Sequence, residues 1–181
     1  QLERLEEQAD GPLSGLVLDL RNNPGGVLNG AVEVSDLFLS EGVIVSTRGR
    51  AADSAITFNA TGRDVLNGVP LVVLVNRGSA SASEIVAGAL QDHQRGLILG
   101  TKTFGKGSVQ TILPMKNGAA LKLTTARYYT PNNRSIQATG IQPDIVSRQL
   151  ELATSPGPTH GGIRESDLAG HLENENDASN E

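Results

Sequence analysis

Leu71-Val72-Val73-Leu74-Val75 is an unbroken apolar run, and Ile85, Val86, Ala89 and Leu90 follow it at helical spacing. The run reads as a strand buried on both faces. The spacing predicts a helix over about 82–94, ended by Arg95-Gly96. The same succession begins earlier in the chain. Leu16-Val17-Leu18-Asp19-Leu20 is a strand, Arg21-Asn22-Asn23-Pro24-Gly25-Gly26 a sharp loop, and Val27 to Leu39 a helix with Leu28, Ala31, Val32 and Leu39 inward. Further strands are predicted at 43–47, around 56–58 and at 97–99. Strands alternating with helices form crossover units around a parallel sheet, so the fold class is α/β.

After the Gly-rich loop at 100–107 the period changes. Val109 to Leu113 and Leu121 to Tyr129 alternate around Lys116-Asn117-Gly118, which predicts a β hairpin. Ile136, Ile141, Ile145 and Val146 are the last core candidates. A short helix over residues 1–9 precedes the first strand. Beyond about 152 the chain is rich in Gly, Pro, Ser, Asn and acid, and reads as a loosely held tail. The expected organisation is a core over residues 1–150 and an acidic tail over 151–181.

The turn between the buried strand and the 82–94 helix carries the chemistry. It crowds Ser79, Ser81 and Ser83 onto a helix start, where unpaired N–H groups and a partial positive charge face outward. A serine there can act as a nucleophile whose developing oxyanion is held by the next N–H groups. The same residues also fit a capping box, with Ser81 as N-cap and Glu84 at N3.

A nucleophilic serine needs a base within reach. His93 sits twelve residues along the same helix, roughly 18 Å from Ser81 at ~1.5 Å per residue. His160 and His171 fall in the expected tail. The three histidines therefore read as surface residues. Lysine is the next candidate, and acts as a base only when neutral, a form that burial favours. Lys106 lies between Gly105 and Gly107, which let other backbone pack around it. Gln110, four residues on, shares a face with Lys106 if 106–110 is extended. Gly100-x-x-x-x-Gly105-Lys106 is also most of a phosphate-binding loop. However, position 107 is Gly rather than Ser or Thr, and a strand rather than a helix is predicted next.

Composition narrows the classes. There is no Cys, which removes thiol nucleophiles, thiolate metal sites and disulfides. The net charge is −5, but residues 165–181 hold six acids and no Lys or Arg, so the rest is nearly neutral. No basic stripe points to nucleic acid, and no apolar run is long enough to span a membrane.

Four blocks together carry a more specific signal. Leu18-Asp19-Leu20-Arg21-Asn22-Asn23-Pro24-Gly25-Gly26, Gly78-Ser79-Ala80-Ser81-Ala82-Ser83-Glu84, Lys102-Thr103-Phe104-Gly105-Lys106-Gly107 and Arg127-Tyr128-Tyr129-Thr130-Pro131 closely resemble, in order and spacing, the carboxyl-terminal processing proteases, also called tail-specific proteases. The resemblance covers about residues 15–147. It implies a ClpP/crotonase-like core and a serine endopeptidase that acts at or near protein C-termini through an acyl-enzyme. Ser81 resembles the nucleophile, Lys106 the general base and Gln110 the residue that positions the lysine. The backbone N–H groups of Ala82 and Gly26 resemble the oxyanion hole, with Gly25 the less favoured choice. Lys102 does not hold the catalytic place. Asp19, Arg21 and Glu84 read as structural, with Glu84 able to shape the site through the cap.

The resemblance implies no cofactor and no metal, and substrates that are proteins or peptides with accessible C-termini. It places the enzyme in the periplasm or cell envelope and leaves a homo-oligomer or an adaptor protein open. The family's usual PDZ domain has no counterpart here, since only about fifteen residues precede the first strand. The competing expectation is a catalytically inactive fragment of the same fold that serves as a binding or scaffold module.

Overall fold

The computed structural model describes residues 2–50, 55–147 and 163–175. Among these the chain forms α1 (Leu2–Gln8), β1 (Leu16–Asp19), α2 (Leu28–Asp36), β2 (Val43–Gly49), β3 (Ile56–Asn59), β4 (Leu71–Val75), α3 (Ala82–Asp92), β5 (Leu97–Gly100), β6 (Ser108–Pro114), β7 (Ala120–Tyr129) and β8 (Ile145–Val146). A short 3-10 turn, Glu165–Asp167, follows near the end. The strands make two sheets, one parallel in the order β1-β4-β5-β8 and one antiparallel in the order β3-β2-β7-β6. The expected α/β class with crossover units and an added hairpin is the observed one.

Helix α3 touches β2 of one sheet and β5 of the other, and packs along α2. Its residues from Ala82 to Leu90 are all buried. A helix buried on every side, as this one is over its first nine residues, belongs in such an interior position. Val73, Ile98, Ile44 and Leu90, each fully buried, form the centre of the core. The three neighbouring parallel strands β1, β4 and β5 run in register, Leu16 beside Leu71 and Val72 beside Leu97. Their carboxyl ends therefore release the loops at 20–27, 76–81 and 101–107 side by side, the edge at which open parallel sheets place their sites.

One expectation about the core is corrected. Ile145 and Val146 are not core residues. They form the two-residue edge strand β8 and are 47% and 60% exposed. The expected hairpin forms from β6 and β7, and within it Ile112, Leu113, Leu121 and Leu123, with Met115 in its turn, are exposed, while its base at Ser108, Tyr128 and Tyr129 is buried. The chain also holds residues 163–175 by specific bonds, although they belong to the segment expected to hang loosely. Asn174 is 5% exposed, and its amide donates to the carbonyl oxygens of Ser135 and Gln137 and to Thr139 Oγ1. The expected boundary at 150/151 and His160 lie outside the described residues. No helix among those described is long and apolar enough to cross a membrane.

Candidate active site

The three serines of the 79–83 turn separate by their hydrogen bonds. Ser79 is buried, and its hydroxyl donates to the Leu20 carbonyl at 2.7 Å. The Ser83 hydroxyl donates to the Asn23 carbonyl at 3.0 Å. Both tie the turn to the first Gly-rich loop. Ser81 is half-buried, its hydroxyl makes no capping bond, and its backbone sits at φ 56° and ψ −115°. An ordinary N-cap is extended. A non-glycine residue held at positive φ is strained, and such strain persists only where the surroundings impose it.

What imposes it is Glu84. This side chain is fully buried, and its two oxygens accept from four donors of two loops. Oε2 accepts from the Ser81 N–H at 2.8 Å and from the Lys106 N–H at 2.8 Å. Oε1 accepts from the Gly105 N–H at 2.8 Å and the Thr103 hydroxyl at 2.5 Å. Burial pushes the Glu84 carboxyl up from the ordinary glutamate range, against the four hydrogen bonds, which pull it down. The capping role read from the sequence is thus half of its work. The other half, holding the lysine loop against the serine turn, depends on residues about twenty positions away, which no local pattern reveals.

Lys106 is half-buried in that loop. Among the described residues its side chain makes no hydrogen bond to Ser81. The two are joined through Glu84. On the far side of Lys106, the Gly107 N–H donates to Gln137 Oε1 at 3.0 Å and the Gly107 carbonyl accepts from Tyr128 N–H at 2.8 Å. A Cβ on Gly107 would lie 2.4 Å from the Gln137 nitrogen, so only glycine permits this approach. Gln110 lies in β6, exposed, beyond a register shift between Val109 and Gln110. No hydrogen bond joins it to Lys106 among the described residues.

The first Gly-rich loop closes on Ser81. Gly25 has φ +98°, and a Cβ there would lie 2.5 Å from the Ala80 carbonyl oxygen and 2.7 Å from the Ala82 nitrogen. The Ala80 N–H donates to the Asn23 carbonyl at 3.0 Å. No acceptor pairs with the Gly26 or Ala82 N–H among the described residues; Ala82 follows Ser81 directly, and Gly26 follows the Gly25 that packs against it. An apolar groove of about 250 Å³, lined in part by Gly26, Val27, Val34, Ala82 and Val86, opens beside them.

Other candidates fall outside this cluster. His93 is half-buried rather than on the surface, with a ring nitrogen 2.7 Å from the Val43 carbonyl. The residues after Lys106 run into β6, so no helix N-terminus follows to receive a phosphate. Asp19 and Arg21 pair with each other at 2.7 Å at the loop's outer rim. Among the described residues no group of His, Asp and Glu is arranged to hold a metal ion.

The profile of peptidase family S41 matches residues 1–147. A carboxy-terminal-processing protease of Bartonella bacilliformis is 55% identical over 160 residues, 88% of this chain and 37% of that protein. A carboxyl-terminal-processing protease of Synechocystis is 47% identical over 148 residues, 82% of this chain and 34% of its own length. The solved structure of a photosystem II D1 C-terminal processing protease superposes with a TM-score of 0.71 at 41% identity, covering 80% of this chain and 36% of that one. The chain thus spans about a third of the length of the relatives it matches.

Proposed function

This chain belongs to peptidase family S41, and we propose that it is the catalytic part of a serine endopeptidase that cleaves proteins at or near their C-termini. The observation that carries this reading is the Glu84 carboxylate accepting from both the Ser81 and the Lys106 backbone N–H. One buried group so fixes a strained serine and a lysine with respect to each other.

Ser81 Oγ attacks the scissile carbonyl while Lys106 Nζ, neutral, takes its proton. The Gly26 and Ala82 N–H groups receive the negative charge as it forms on the carbonyl oxygen. The tetrahedral intermediate collapses, the C–N bond breaks, and Lys106 returns the proton to the leaving amine. Water then attacks the acyl-enzyme with Lys106 again as base, releasing the carboxylate product and Ser81. Gln110 is the proposed aid to orienting Lys106. The apolar groove beside Gly26 and Ala82 receives a substrate side chain.

The substrate class follows the names of the relatives. The periplasm or cell envelope as the compartment, and any oligomer or adaptor, are further parts of the proposal. The test is labelling with a serine-directed fluorophosphonate and location of the adduct by mass. An adduct on Ser81 that forms more slowly in Lys106→Ala is the expected result. No adduct, or one on Ser79 or Ser83, overturns the reading and favours a non-catalytic binding module.

A further inference from the structure

Lys106 is anchored on one side by Glu84. On its other side the loop rests on Gln137, and Gln137 rests on the C-terminal segment. The Gln137 side chain is fully buried. Its Oε1 accepts from the Gly107 N–H, and its Nε2 donates to the Leu172 carbonyl at 3.2 Å and to Glu165 Oε1 at 3.3 Å. The segment also reaches the lysine loop directly, since the Glu165 N–H donates to the Phe104 carbonyl at 3.2 Å. Asn174 locks the turn that carries Gln137 by donating to Ser135, Gln137 and Thr139. Farther out, Arg127 donates to the Glu173 carbonyl at 2.6 Å, and the Tyr129 hydroxyl donates to Glu175 Oε2 at 2.5 Å.

These bonds form one path from the C-terminal segment to the lysine. We propose that residues 163–175 are a clasp that sets the Lys106 loop, with Gln137 as a positioning residue and Asn174 as its lock. This rests on the assignment of Lys106 as base. The Glu84 side of the loop is buried within the core. The clasp side is held by polar groups of a short segment near the chain's end, several of whose residues are exposed. Release of the segment frees the Phe104 carbonyl and the Gln137 Nε2, and so loosens the side chain that holds the Gly107 N–H, without unfolding α3. The lysine then keeps its chemistry and loses its place, and misplacement by ~1 Å can cost about a hundredfold in rate.

The experiment compares Asn174→Ala and Gln137→Met with the parent in the full chain. Hydrogen exchange is read at the amides of Gly105, Lys106 and Gly107, and kcat and KM on a peptide. Arg95→Ala, which breaks the distant Asp64 pair, supplies a variant whose loss of stability is unrelated to the loop. We expect exchange at the three amides to quicken about tenfold or more in both clasp variants. We expect kcat to fall about tenfold or more with KM within about twofold. Arg95→Ala lowers Tm without either change. Unaltered exchange at 105–107 in folded variants, or an unaltered kcat, overturns the clasp. If the parent neither cleaves nor labels at Ser81, the peptidase reading fails separately, and the exchange data still decide whether the segment holds the loop.

Discussion

Ser81 and Lys106 meet the same carboxylate from regions built in opposite ways. Ser81 caps a helix whose first nine residues are buried, wedged between two sheets, so beyond its bond to Glu84 its place is set mainly by packing. Lys106 sits in a loop whose place is set by hydrogen bonds to Glu84, Tyr128 and Gln137. Packing is non-directional and shared among many contacts, whereas each hydrogen bond is directional and lost as a unit. Disturbing the serine side should therefore cost stability first. Disturbing the lysine side should cost rate first.

Glu84→Ala breaks both sides at once and gives the largest effect. It leaves three backbone N–H groups and the Thr103 hydroxyl without their acceptor in a buried site. Chemical denaturation should show a loss of at least about 3 kcal/mol, and peptidase activity should vanish. Leu90→Ala isolates the serine side. A fully buried leucine removed from α3 should cost about 2–5 kcal/mol in the same measurement, while labelling of Ser81 persists below the lowered Tm.

Gly25→Ala acts on the loop proposed to hold the oxyanion. Its φ of +98° and the 2.5 Å approach to the Ala80 carbonyl oxygen force the loop away from Ser81. Steady-state kinetics should show kcat reduced about 10²–10³-fold, the scale of one lost oxyanion donor.

The smallest effect belongs to the rim. The Arg21 side chain, by its hydrogen bond, holds the Asp19 carboxyl down at about 2. A lowered folded-state value contributes stability above the ordinary aspartate range of about 4, and that contribution is lost as the pH falls toward about 2. Both partners are about half exposed, so solvent screens the pair. Asp19→Asn should leave Tm at neutral pH almost unchanged and flatten its fall in this acid window.

The contrast also explains what the sequence revealed. The apolar run from Leu71 to Val75 and the helical spacing of Ile85, Val86, Ala89 and Leu90 are local signals, and β4 and α3 lie where those signals put them. The hairpin was legible from its alternation, but alternation could not tell that among the described residues its outer half is exposed and only its base is buried. Ile145 and Val146 look like core residues by type, and they are exposed because β8 pairs only at the sheet's edge. Ser81 and Glu84 stood out as a capping box because that pattern is local. The bonds from Glu84 to Gly105 and Lys106 depend on how β4 and β5 set their loops side by side. Gln137 and Asn174 were invisible for the same reason: each is a lone polar residue, and Asn174 stands in a stretch whose composition reads as a tail.

The most direct test is cleavage of an unfolded protein by the full chain, beside Ser81→Ala and Lys106→Ala, with the products identified by mass. We expect the parent alone to cut, releasing fragments from the C-terminal end of the substrate. Equal cleavage by the parent and either variant would contradict catalysis by the Ser81–Lys106 pair.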